Sequence, residues 1–306
     1  MPWHAVPVLR LGVDGTGFIV DAVIAALDSR GIDVARPPLP PVALTVAVAQ
    51  AASADQHSAD VVLTACDAGQ ATVAVLRLDR DRLAPWAQAL ASGRPDVTAP
   101  PRLLPHDPAW AEVAARRGAA LRAAWGHLDP GGDLGLRRID HIGSTAVPGL
   151  AAKPYLDLQV TCDRLPDSTA LAAALAPLGW APAVGARPDS PGVHHDLRSG
   201  HDTAPEEAFR KHLLVAPDPV RPAILHVRLT GSPFARRVVR FRDLLRTDPQ
   251  IRHDYERMKR EAAAVHADAS DYDDYTRDKG RWLPGVHARL DDPAARGRDP
   301  WPLDGR

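Results

Sequence analysis

His141 to Val160 reads HIGSTAVPGLAAKPYLDLQV, and the way this stretch folds decides the rest. Arg137 to Ile142 is a strand by its apolar and β-branched content, and Tyr155 to Cys162 is a second. Between them, Gly143, Ser144, Thr145, Pro148 and Gly149 have the composition of a tight connection. On the second strand Asp157 and Gln159 are two apart and share one face. A Gly-Ser turn presents backbone N–H groups and a hydroxyl to phosphate oxygens, and a strand carboxylate suits a divalent cation. The candidate ligand-binding set of this stretch is therefore His141, Gly143, Ser144, Thr145, Lys153, Asp157 and Gln159, with Asp157 as the candidate metal ligand.

A two-metal site requires several carboxylates, and Gln159 supplies only a neutral carbonyl oxygen. Asp163 shares the parity of Asp157 only if the strand continues that far. A scaffold reading stays open beside the ligand reading. In it the glycines make the turn, Pro148 stiffens it, and Asp157 caps or pairs with an arginine.

Downstream, Phe209 to Val215 and Ile224 to Leu229 are expected as strands. Alternation then suggests a sheet face carrying Arg210, His212, His226 and Arg228, with Lys211 beside them, suited to phosphate or carboxylate groups. A solvated sheet face is the competing reading. From Ser232 almost to Leu290 the pattern is helical, with breaks at Asp248-Pro249 and Ala267 to Ser270, giving three helices. Upstream, Asp107-Pro108 opens a helix to about Trp125, and Ser168 to Leu178 is another. Strands followed by helices imply an α+β fold with C-terminal helices.

Other clusters carry less. His194, His195, His201, His212 and His226 match no zinc spacing. DYDDY at Asp271 to Tyr275 reads as a solvated, acidic helix start. No nucleophile elbow, HExxH pair or Cys-His arrangement is present, so hydrolase chemistry has no foothold.

The 306 residues suit two domains, and 45% hydrophobic with 25% charged residues suits a globular core. A net charge of −1 gives no field that would gather nucleic acid or a membrane surface, so neither is expected as a partner. Cys66 and Cys162 are isolated, and no stretch reaches the roughly 20 apolar residues of a membrane span. A cytoplasmic location is expected.

The N-terminal part has a βα opening, with Val8 to Val13 as strand and Ile19 to Leu27 as helix around Gly15-Thr16-Gly17. Pro37 to Pro41 interrupts it, further apolar runs follow at Ala43 to Ala49 and Asp60 to Ala65, and Val73 to Ala91 ends in a helix. GRPDVTAPPRLLP at Gly93 to Pro105 reads as a linker. The expected division is 1–95 a small α/β domain, 96–106 linker, 107–295 the second domain and 296–306 a tail.

HIGSTAVPGLAAKPYLDLQV, FRK at Phe209, the ILHVRL strand, FRDLLRTDP from Phe241, and Tyr275 with Lys279 resemble the GrpB (UPF0157) family, and LLPHDPAW near Leu103 is similar to its opening. The resemblance implies a nucleotidyltransferase-like mixed sheet whose partner is a nucleotide or other phosphorylated small molecule, with Mg2+ as the accompanying ion. LRLGVDGTG, SADVVLTACDAG and DRDRLAPWAQAL, from Leu9, Ser58 and Asp79, resemble a truncated, degenerate P-loop kinase, dephospho-CoA kinase, behind which GrpB domains are fused in many actinobacteria. That arrangement implies two alternatives: a non-catalytic folding accessory for a kinase or other protein partner, and a diverged dephospho-CoA kinase. A working P-loop needs GxxxxGK[ST], whereas Gly17 here is followed by Phe18-Ile19-Val20 with no lysine.

Overall fold

The computed structural model describes residues 10–14, 18–35, 42–49, 60–92, 100–198 and 202–291. The Gly15–Gly17 turn, the proline run at 37–41, His201 and the 296–306 tail lie outside the described residues.

The N-terminal part forms β1 (Arg10–Asp14), α1 (Phe18–Asp28), β2 (Asp33–Ala35), β3 (Leu44–Ala49), β4 (Val61–Thr64), α2 (Ala68–Leu78) and α3 (Ala84–Ala91). Its four strands pair in parallel in the order β2-β1-β3-β4. Parallel strands need crossovers and coverage, and the buried Leu11, Val13, Leu44 and Val46 are the apolar runs such a sheet demands. Asp67 caps α2 by accepting from the Gln70 N–H.

The second part begins with α4 (Ala109–Leu128), whose start is secured by Asp107 Oδ1 accepting from the Ala109 N–H at 2.9 Å. The remaining elements are β5 (Leu136–Ile142), β6 (Leu156–Cys162), α5 (Ser168–Leu175), β7 (Ala181–Pro182), β8 (Lys211–Ala216), β9 (Ala223–Leu229), α6 (Pro233–Thr247), α7 (Pro249–Val265) and α8 (Asp273–Asp291). The three C-terminal helices break where the sequence suggested. Ser232 and Asp248 cap α6 and α7, each followed by proline in the first turn. The sheet runs β5-β6-β9-β8-β7, parallel only between β6 and β9. A mixed sheet with segregated helices is the α+β arrangement expected.

The period of two along the central strands separates core from site. Leu156, Leu158, Val160 and Cys162 of β6, with Leu225 and Val227 of β9, join the main apolar cluster with α4, α5 and the N-terminal core. Asp157, Gln159, His226 and Arg228 take the alternate positions, toward the face from which α6 reaches Gln159: its Nε2 donates to Ala235 O. A second cluster, Val147, Leu150, Leu245, Ile251, Tyr255 and Val286, packs the 143–150 turn against the three C-terminal helices.

The two parts are locked by a buried carboxylate. Asp218, in the β8–β9 connection, accepts from Arg82 Nε and Nη2 at 2.9 and 2.6 Å and from Arg117 Nη2 at 3.1 Å. Arg117 also lies over the rings of Trp86 and Trp180, and Trp86 Nε1 donates to Gly179 O.

Candidate functional site

A cavity of about 310 Å³ opens between the β6, β9 and β8 face, the turn after β5 and the C-terminal helices. The turn enters it because Gly143 has φ +72°, and a Cβ there would meet Asp157 Oδ2 at 2.3 Å. Only glycine lets the backbone pass so close to the carboxylate. Ser144 and Thr145 follow in a short 3₁₀ turn, placing Ser144 and Asp157 in one cavity lining. His141 Nε2 lies 3.0 Å from Thr145 Oγ1, whose hydroxyl donates to Tyr155 O. Burial, reinforced by Arg246 and Arg242, pushes the His141 pKa down to about 4, so it braces the turn as a neutral ring.

The floor is a buried polar chain. Asp196 accepts from Lys211 Nζ at 2.9 Å and from Arg228 Nε and Nη2 at 2.7 and 2.9 Å. Arg228 Nη1 donates to Gln159 Oε1 at 2.8 Å. Arg228 Nη2 and Lys211 Nζ also lie 3.1 and 3.3 Å from His226 Nδ1. An arginine N–H cannot accept, so Nδ1 is the acceptor and the ring proton sits on Nε2, 3.7 Å from Asp157 Oδ1. Burial, then Arg228 and Lys211, keep the His226 pKa well below that of a free histidine, so it is a neutral donor facing Asp157. Burial raises the Asp157 pKa against the pull of Lys279 and Lys153.

The walls are aromatic. Lys153 Nζ sits 3.4 Å above the Tyr272 ring centroid, with Tyr275 and Tyr155 at 5.2 and 5.7 Å, and Lys279 Nζ is 5.5 Å from Tyr275. Phe241 and Tyr255 complete this side, in edge-to-face contact with each other. Burial, then Lys279, push the Lys153 pKa down to about 7. Such a cavity can hold a flat ring against tyrosine and an anion against ammonium groups.

A two-metal cluster does not fit these donors. Both polar ends of the fully buried Gln159 side chain are engaged, Oε1 by Arg228 and Nε2 by Ala235. Asp163 is spent on Arg137 outside the cavity. No group of three histidine, cysteine or acidic side chains placed to hold a metal occurs among the described residues.

The family model described as GrpB protein matches residues 100–289. The chain belongs to the GrpB family. A dephospho-CoA kinase of Mycolicibacterium paratuberculosis is 32% identical over 214 residues, 68% of this chain and 50% of that one. Another, from Mycobacterium tuberculosis, is 33% identical over 186 residues, 59% and 44% of the two chains. A UPF0157 protein of Halalkalibacterium halodurans is 29% identical over 161 residues, covering 53% of this chain and 68% of its own. This chain spans about half the length of the kinases it matches. Among solved structures, the crystal structure of conserved protein GrpB from Enterococcus faecalis is 20% identical, covers 62% of this chain and 96% of its own, and has a TM-score of 0.42.

Within the GrpB domain, Gly143, Ser144, Thr145, Lys153, Asp157, Lys211, His226 and Arg228 line the cavity, while His141 and Gln159 brace it from behind. Arg210 and His212 do not join them. The antiparallel register pairs Lys211 with Arg228 and Leu213 with His226, so those side chains share the face. Arg210 lies before the strand and is exposed, and His212 points the other way, donating to Pro166 O. DYDDY does open a helix with acidic residues, as expected, but they are not all solvated. Asp271 and Asp273 are buried, Asp271 accepting from Arg187 and Asp273 from Ser190. That order delivers Tyr272 and Tyr275 into the cavity. Tyr155, Tyr272, Tyr275, Lys279 and Asp196 are among the lining residues missed. Tyr275 and Lys279, which share a helix face four apart, carried part of the family resemblance without being assigned to the site.

Proposed function

We propose that the GrpB domain binds a nucleotide or another phosphorylated small molecule in the cavity between its sheet and the C-terminal helices. One observation carries this reading. Lys153 and Lys279 both line the cavity, and among the described residues neither ammonium group has a carboxylate within 4 Å or a hydrogen-bond acceptor; both rest on tyrosine faces. Cations held this way keep their N–H groups for an anion, and the rings beside them offer a stacking surface. The Gly143-Ser144 turn adds a hydroxyl to the same lining.

A thermal-shift panel of ATP, ADP, AMP, CoA and dephospho-CoA, with and without Mg2+, tests it. A ligand at a hundred times its Kd adds about 2.7 kcal/mol to native-state stability. At least one phosphorylated compound raises Tm and its non-phosphorylated parent does not; flat curves throughout reject the reading.

The Asp218 clamp supports a second reading, in which the GrpB domain serves as a folding accessory to the unit fused before it. Arg82 of that unit is buried by the GrpB carboxylate, and its Trp86 side chain is wholly covered. Phosphorylation of dephospho-CoA, the activity named for the kinase relatives, is the third reading. It lacks the phosphate-binding lysine after Gly17. A coupled kinase assay with dephospho-CoA and ATP is expected to show no turnover.

A further inference from the structure

The cavity contains more cationic charge than its carboxylates consume. Asp196 is occupied by Lys211 and Arg228, leaving Asp157 as the remaining carboxylate of the lining, opposite Lys153 and Lys279. The residue that would supply a second metal oxygen, Gln159, is held by Arg228 and Ala235. His226 turns a proton, not a lone pair, toward Asp157, because Lys211 and Arg228 hold its Nδ1 as the acceptor. A divalent ion beside Asp157 would therefore meet one carboxylate and the Ser144 hydroxyl against an N–H and two ammonium groups, a poor set for a hard cation that prefers several oxygens.

We propose that the ammonium groups of Lys153 and Lys279 do here what divalent cations do in a metal-dependent phosphate site, so that the cavity takes a phosphate-bearing anion free of metal. Lysine binds phosphate as a compact point charge and needs no bridging ion. The tyrosine faces stabilise each ammonium without taking its N–H groups. Asp157 then plays the opposite part from a metal ligand: it limits the excess positive charge of the empty cavity and repels the anion's oxygens. The proposal rests on the reading above, that the ligand carries phosphate.

Pyrophosphate binding by isothermal titration, first in EDTA and then with Mg2+, separates the two arrangements by sign. Binding is expected in EDTA, and Mg2+ is expected to weaken it by complexing the probe. Lys153→Met is expected to weaken it by about tenfold or more, the size of a lost hydrogen bond to a charged group. Lys279→Met provides the same test if that variant fails to fold. Asp157→Asn, isosteric and neutral, is expected to raise the affinity, because it removes the charge that repels the anion. Binding that requires Mg2+, or a tenfold loss in Asp157→Asn, overturns the proposal and leaves the phosphate reading standing. So does Mn2+ binding to the protein alone that Asp157→Asn abolishes. No binding in either buffer rejects the phosphate reading and this proposal with it.

Discussion

At Gly143 the demands of backbone and site coincide. With a positive φ, and with only 2.3 Å between the position of an added Cβ and Asp157 Oδ2, Gly143→Ala costs twice, in backbone strain and in overpacking. The expected loss is about 2 kcal/mol or more, read as a lower denaturant midpoint. Part of it should return in the Gly143→Ala, Asp157→Ala double variant, and strict additivity would show that the two residues do not touch. Lys153 gives a second prediction at this scale. It faces Asp157, Lys279 and Asp273, and burial with Lys279 lowers its pKa to about 7. An anion favours the protonated form, so binding at pH 8 takes up a proton, and affinity falls as pH rises through about 7. Titrations in buffers of different ionisation enthalpy measure that uptake; observed binding heats that do not vary with the buffer would contradict it. The turn and Asp157 were legible in the sequence because glycine, serine and a strand aspartate are local signals. The tyrosines were not assigned to the site, since nothing local in DYDDY reports the Arg187 and Ser190 contacts to its buried Asp271 and Asp273.

At the level of elements, the register of β8 decides which cation belongs to the cavity. Sequence alternation suggested Arg210 with His212, but the pairing of Lys211 with Arg228 shifts the inward set by one residue. A 3₁₀ turn at Glu206–Phe209 delays the strand until Lys211, and strand starts are fixed by such tertiary detail. Arg210→Ala is accordingly expected to stay within about 0.5 kcal/mol of wild type, as an exposed substitution does. Lys211→Ala removes one partner of the buried Asp196 and is expected to cost about 3 kcal/mol or less, since Arg228 still holds that carboxylate bidentately. Urea unfolding of the pair measures both, and the reverse order would mean that the register is wrong. The helical breaks and caps of α6 and α7 were legible because Ser232-Pro233 and Asp248-Pro249 carry their own start signals.

Across the whole molecule, the α+β class followed from the order of strands and helices, whereas the joining of the two parts had no sequence signal: Asp218 lies 136 residues from Arg82. Removing that carboxylate by Asp218→Ala leaves Arg82 and Arg117 buried without it, and about 3 to 5 kcal/mol should be lost. Burial disfavours the Asp218 charge, but the Arg82 hydrogen bonds and both guanidinium charges outweigh it and hold the pKa below the usual carboxylate value. The stability it contributes is therefore present above the unfolded-state pKa and is lost as pH falls through the folded one. An unfolding midpoint unchanged in Asp218→Ala would remove the clamp from the account. The central claim, that a phosphorylated ligand occupies the cavity through its lysines, is tested most directly by the ligand-induced Tm shift of the best compound in the thermal-shift panel, compared across wild type, Lys153→Met and Arg210→Ala. The predicted result is a shift retained in Arg210→Ala and cut to about half or less in Lys153→Met. A shift undiminished in Lys153→Met, or one that disappears in Arg210→Ala, contradicts it.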